Sequence, residues 1–189
     1  MGAIVPLQHA PSFPVGLTVT WKPESHALVP NNYLRNWLLD TGSLTERIQS
    51  HCRQFSVYRI GQGVAPLSTE ETQRLNDIDS AYEIREVLLL ADDTPWVFAR
   101  SVVPVSLSTG EWRDLGSQPL GKLLFNDTRF TRGEFEVAEV PFSVLSSLPI
   151  TPVSHPLYGR RSLFTLEEKQ ILVAEVFLPA SPVYQSVVS

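Results

Sequence analysis

Glu175 sits in the stretch ILVAEVFLPASPVY (171–184), a carboxylate with apolar neighbours on both sides. Counting by twos places Ile171, Val173, Glu175 and Phe177 on one face, and Leu172, Ala174, Val176 and Leu178 on the other. A strand apolar on both faces is covered on both faces. An acid inside it is expensive unless something pairs with it or uses it. YEIREVLLL (82–90) holds a counterpart, with Arg85 sharing a face with Val87 and Leu89. Three further sites carry cations in apolar surroundings: Arg100 in WVFARSVV, Arg132 in FTRGEF, and the pair Arg160-Arg161 after Tyr158-Gly159.

These residues allow two chemistries. In one, Arg85 and Glu175 form a buried ion pair, with Glu83 as another partner for the arginine; such pairs occur as structural features. In the other, one sheet face carries a closed pocket whose apolar walls hold a ring. Arg85 then grips a carboxylate with two parallel N–H···O bonds, a charged contact worth about 1.5–3 kcal/mol. Glu175 meets a hydroxyl or a moving proton at the other end, and a carboxyl group in an apolar pocket is suited to acid or donor duty. Arg100, Arg132 and Arg160 are candidates for a second carboxylate. As solvated residues or surface ion pairs they would contribute little.

The elements that must position these side chains follow from periodicity. Residues 1–30 hold Pro6, Pro11, Pro14, Pro23 and Pro30, which predicts an irregular arm with a short strand at GLTVTW, preceding a domain over 31–189. Tyr33, Leu34, Trp37 and Leu38 share a helical face, ended by Asp40-Thr41-Gly42. Ser43 and Glu46 have capping-box spacing and open a second helix through about His51. QFSVYRI (54–60) reads as a strand closed by Gly61 and Gly63, and a short helix falls around Glu70–Leu75. IREVLLL and WVFARSVVPVS (96–106) form a hairpin across 91–95, and RRSLFTL and QILVAEVFL form another across 167–169. SQPLGKLLF (117–125) reads as a helix and FTRGEFEVAEV (130–140) as one strand. Tight turns make the strands antiparallel. The fold class is α+β, an antiparallel sheet of five or six strands with helices packed on it.

Composition excludes several functions. The 189 residues suit one domain with a real core. A net charge of −5 argues against a general nucleic-acid binder. The single Cys52 forbids an internal disulfide and fits a reducing, cytoplasmic setting. No apolar run approaches the roughly 18–20 residues of a membrane span. No basic, apolar leader opens the sequence. His9, His26, His51 and His155 lack ligand spacing, so no metal is expected. Gly61-Gln62-Gly63-Val64-Ala65-Pro66 begins like a dinucleotide fingerprint but has proline where the third glycine belongs, so it reads as a turn. There is no phosphate loop and no nucleophile elbow. Cofactor-free chemistry or plain binding remains, in a chain with no heptad seam and so expected to be a monomer.

Five segments together resemble the chorismate pyruvate-lyase family. They are WLLDTGSLTERIQ, IREVLLLADDTPWVFARSVVPVS, LGSQPLGKLLF, YGRRS and AEVFLPASPVY, in the family's order across about residues 34–184. The resemblance implies a cofactor-independent lyase that converts chorismate to 4-hydroxybenzoate and pyruvate at the start of ubiquinone synthesis, on an antiparallel sheet with its ligand enclosed beneath flaps. It carries the family's carboxylate-holding arginine onto Arg85 and its hydroxyl-end glutamate onto Glu175. Two further ligand contacts fall on Leu120 and on Leu44, where the family commonly has methionine. The same fold resembles the effector-binding domains of bacterial transcription regulators. A non-catalytic module for a small aromatic carboxylate is therefore the alternative, although residues 1–30 are too short and proline-rich for a winged helix.

Overall fold

The computed structural model describes residues 10–76, 81–109 and 119–185. Its strands are β1 (Lys22–Pro23), β2 (Phe55–Gly63), β3 (Tyr82–Ala91), β4 (Thr94–Pro104), β5 (Thr131–Arg132), β6 (Glu136–Val140), β7 (Leu157–Leu166) and β8 (Lys169–Phe177). Its helices are α1 (Asn32–Leu38), α2 (Leu44–Gln49), α3 (Thr69–Arg74), α4 (Val105–Ser108) and α5 (Leu120–Asn126). The strands make one antiparallel sheet in the order β1-β6-β7-β8-β4-β3-β2, with β5 also on β7. Among the described residues no helix is long and apolar enough to cross a membrane.

Eight strands replace the expected five or six, for two reasons. GLTVTW is not a strand; the arm pairs one step later, where Lys22 and Pro23 meet Val137 and Glu136. The segment 130–140 is not one strand but two. Thr131 and Arg132 oppose Thr165 and Phe164, whereas Glu136 opposes Arg161. Residues 133–135 therefore face only 162–163, a bulge that reverses the alternation. The bulge puts Arg132 on one sheet face and Glu136 on the other. The glycine pair read as a turn is instead the end of β2, which runs on to Gly63 past an irregularity between Arg59 and Gly61.

Both sheet faces are covered, as doubly apolar strands require. The face carrying Val87, Leu89, Val97, Ala99 and Phe177 packs under α1 and α2, through Leu34, Trp37, Leu38, Leu44 and Ile48. Further along, Val103, Ile171 and Val173 pack under Leu120 and Leu124 of α5. The other face packs against the N-terminal arm, with Leu17, Val19 and Trp21 over Leu88, Phe98 and Val176. The proline-rich arm is thus the second cover of the sheet. Asn31 accepts a bond from the Leu34 N–H to cap α1, and Ser43 caps α2 through the Glu46 N–H. The reciprocal capping box forms at α3, between Ser68 and Glu71.

The arm crosses β2 at Gly61, where any Cβ would collide with the Phe13 ring. Gly61→Ala is expected to destabilise the fold by about 1–3 kcal/mol through overpacking. Urea unfolding checks this, and an unchanged midpoint would mean that Phe13 moves aside freely.

Candidate active site

Cross-strand register decides which charges meet. Arg160, Glu175, Ala99 and Val87 form one row across β7, β8, β4 and β3. Ser162, Val173, Ser101 and Arg85 form the next row on the same face. Arg85 and Glu175 therefore share a face but are separated by β4. They stand two strands apart, about 10 Å, and one side-chain step apart, about 7 Å. The ion-pair reading of these two residues does not hold. Glu175 pairs with Arg160, whose Nε donates to Oε2 at 2.8 Å.

That pair fixes one end of the Glu175 carboxylate, with Oε2 accepting the guanidinium N–H. The other oxygen, Oε1, lies 3.6 Å from where a Cβ on Gly121 would be. The missing side chain on α5 keeps that oxygen uncovered.

Arg160 is 3% exposed and also ties down the turn between α1 and α2. Its Nη1 donates to the carbonyl oxygens of Trp37 (3.4 Å), Leu38 (3.3 Å) and Asp40 (2.8 Å). The first two are orphan acceptors at the C-terminus of α1, and Asp40 follows in the turn. Arg132 reaches the same turn, with Nη2 donating to the Thr41 carbonyl at 2.8 Å. Both guanidinium groups stand 4.7 Å from the centre of the Phe135 ring. Burial, and then the charge of Arg160, pushes the Arg132 pKa below the ordinary guanidinium value, with Glu175 and Asp40 acting the other way. Arg132, Arg160 and Arg47 face the two carboxylates of Glu175 and Asp40, which leaves this end of the face electropositive.

Arg132, Arg160, Ser162, Phe135 and Glu175 line a small cavity roofed by Gly42 and Ser43 of the α1–α2 turn, the first residues of α2, and Gly121. Its volume is about 30 Å³, room for ordered water. Leu44 and Leu120 are the first residues of α2 and α5; Leu44 lines the roof, whereas Leu120 lies outside the lining and clusters with Phe164 and Val173.

At the other end of the face, Arg85 is 3% exposed. Burial, and then the neighbouring Arg59 charge, lowers its pKa to about 10. It remains a cation at neutral pH. Arg100 does not join this set. It lies on the opposite sheet face, bonded to Glu71 and Glu86. The sequence reading included Arg132, Arg160 and Glu175 but missed Ser162, Phe135 and Gly121. Ser162 was legible, since counting by twos from Arg160 in RRSLF puts it on the same face; Phe135 was hidden by the bulge.

The family model for chorismate lyase matches residues 16–189. This chain belongs to the chorismate lyase family. It is 37% identical over 186 residues to a probable chorismate pyruvate-lyase of Pseudoalteromonas atlantica, covering 95% of each chain. It is 40% identical over 178 residues to one from Shewanella loihica, covering 89% of this chain and 92% of the relative. Among solved structures it resembles PhnF from Mycobacterium smegmatis, with a TM-score of 0.56 at 12% identity, over 75% of this chain and 65% of that one. The effector domain of PhnF alone gives a TM-score of 0.53, also at 12% identity, over 75% of this chain and 91% of that domain. Identities this low speak to the shared fold only.

Proposed function

We propose that this member of the chorismate lyase family is a chorismate pyruvate-lyase, splitting chorismate into 4-hydroxybenzoate and pyruvate. The observation that carries the reading is the placement of Arg85 and Glu175. They lie on one covered sheet face, two strands and one side-chain step apart, with apolar Ala99 and Val173 between them. Arg85 binds the ring carboxylate with a planar fork of donors. Glu175 Oε1 meets the C4 hydroxyl end, while Oε2 is fixed by Arg160. Leu44 and Leu120 contribute from the starts of α2 and α5. Their main-chain N–H groups have no partner within their own helices, so leucine in place of methionine at position 44 changes little.

The reaction balances without an external reagent. The bond between ring C3 and the ether oxygen breaks, the C4 proton leaves, and the ring becomes an aromatic phenol. The released enolpyruvate takes up a proton at carbon and becomes pyruvate. Negative charge grows on the leaving oxygen as the ether breaks, and Arg132 and Arg160 lie where they can offset it. In this reading the Glu175 carboxylate receives or steers the C4 proton.

Purified protein incubated with chorismate in the presence of a chelator is expected to form 4-hydroxybenzoate and pyruvate in equal amounts. The fold shared with the PhnF effector domain supports a second reading, a non-catalytic module for a small aromatic carboxylate. No product, together with tight 4-hydroxybenzoate binding, would favour that module.

A further inference from the structure

Ser162 carries a hydroxyl that the mechanism has not yet used. The residue is 4% exposed, and its Oγ has no hydrogen-bond partner among the described residues. A buried hydroxyl without a partner is destabilising, and such groups in native folds call for a ligand or an ordered water. Oγ belongs to a residue lining the small cavity beside Glu175, Arg132 and Arg160. By register it lies on β7, one strand beyond Glu175 and on the side away from Arg85.

Resting on the lyase reading, the substrate's shape then fixes what arrives there. With the ring carboxylate on Arg85 and C4 at Glu175, the ring crosses β4 toward β8. The enolpyruvyl ether leaves C3, the neighbour of C4, so its carboxylate overshoots Glu175 toward β7. The groups waiting on that side are the Arg132 and Arg160 guanidinium groups and the Ser162 hydroxyl. Arg160 already spends Nε and Nη1 on Glu175 and the turn carbonyls, so an added neutral donor beside it is useful. We infer that Ser162 Oγ–H donates to the enolpyruvyl carboxylate, making with Arg132 a subsite that distinguishes the substrate from the aromatic product.

Ser162→Ala removes an oxygen that bonds nothing among the described residues, so the fold should tolerate it. The variant is expected to lose about 10- to 100-fold in kcat/KM for chorismate, the worth of a hydrogen bond to a charged group. Its Kd for 4-hydroxybenzoate, which lacks the enolpyruvyl group, should stay at the wild-type value. Unchanged values of both would overturn the inference, leaving Ser162 beside an ordered water only. An equal weakening of both would overturn it too, because the residue would then shape the whole pocket. Wild-type protein measured alongside separates the two levels: if it yields no product from chorismate, the lyase reading falls and the subsite falls with it.

Discussion

Replacing Arg100 by methionine is expected to lower the free energy of unfolding by about 3–5 kcal/mol. Arg100 is 3% exposed and Glu86 is fully buried. The guanidinium makes three bonds on this face: Nε to Glu71 Oε1 at 2.6 Å, Nη2 to Glu71 Oε2 at 3.0 Å, and Nη1 to Glu86 Oε1 at 2.7 Å. Burial works against its charge, but the bonds and charges of Glu71 and Glu86 outweigh that and raise its pKa. Methionine fills similar volume and leaves two carboxylates without their cation. Glu86 would still accept the Val15 and Gly16 N–H groups, at 2.7 and 2.9 Å, so the arm keeps its tether. Glu71 would keep its capping bond from Ser68 N–H. The loss is thus electrostatic rather than a failure of packing. Against a typical total of about 5–15 kcal/mol it is large. Urea unfolding measures it, and a loss below about 1 kcal/mol would mean that water reaches both carboxylates. Because Arg100 faces away from the cavity, the folded fraction should retain its turnover with chorismate.

How much of this could be read from the sequence depends on where the alternation of side chains stays regular. Along β8, along β3 as far as Leu89 and along β4 from Val97 it does, and counting by twos placed Arg85 and Glu175 on the faces where they lie. The same counting could have separated Arg100 from them, but only with the β3–β4 register in hand: Arg100 opposes Glu86, not Arg85. The segment 130–140 shows where counting fails. Arg132 and Glu136 are both even-numbered, yet the bulge at 133–135 sends one to the cavity and the other to Arg161 on the far face. The arm was opaque for a different reason. Its proline content excludes regular structure, and only the tertiary contact of Val15 and Gly16 with Glu86 reveals that it seals the sheet. Helix starts were better marked, since Asn31, Ser43 and Ser68 declare themselves as caps. Ion pairing was the least legible property. Glu175 had several candidate arginines, and the choice of Arg160 rests on its lying directly across β7.

Arg85→Ala should lower kcat/KM for chorismate by about 100-fold or more, roughly 3 kcal/mol, by removing a buried two-pronged contact to the ring carboxylate. The loss should appear in the Kd of 4-hydroxybenzoate as well, because product and substrate share that carboxylate. Lysine at this position should recover only part of the affinity, since an ammonium offers a point charge in place of a planar fork. Calorimetry with 4-hydroxybenzoate and steady-state turnover test both statements; a normal product affinity in Arg85→Ala would move the carboxylate elsewhere on the face. Glu175→Gln should divide differently. The amide oxygen can still accept the Arg160 Nε–H, and the amide can still bond a hydroxyl, so binding changes little. What it cannot do is receive a proton. If Glu175 takes the C4 proton, kcat falls by the 10²–10⁴-fold typical of general-base loss while product affinity holds. Near-normal kcat would leave Glu175 as an orienting residue and shift the drive of the reaction to aromatisation and the cations around the leaving carboxylate. The pair of variants thus separates holding the substrate, at Arg85, from moving its proton, at Glu175.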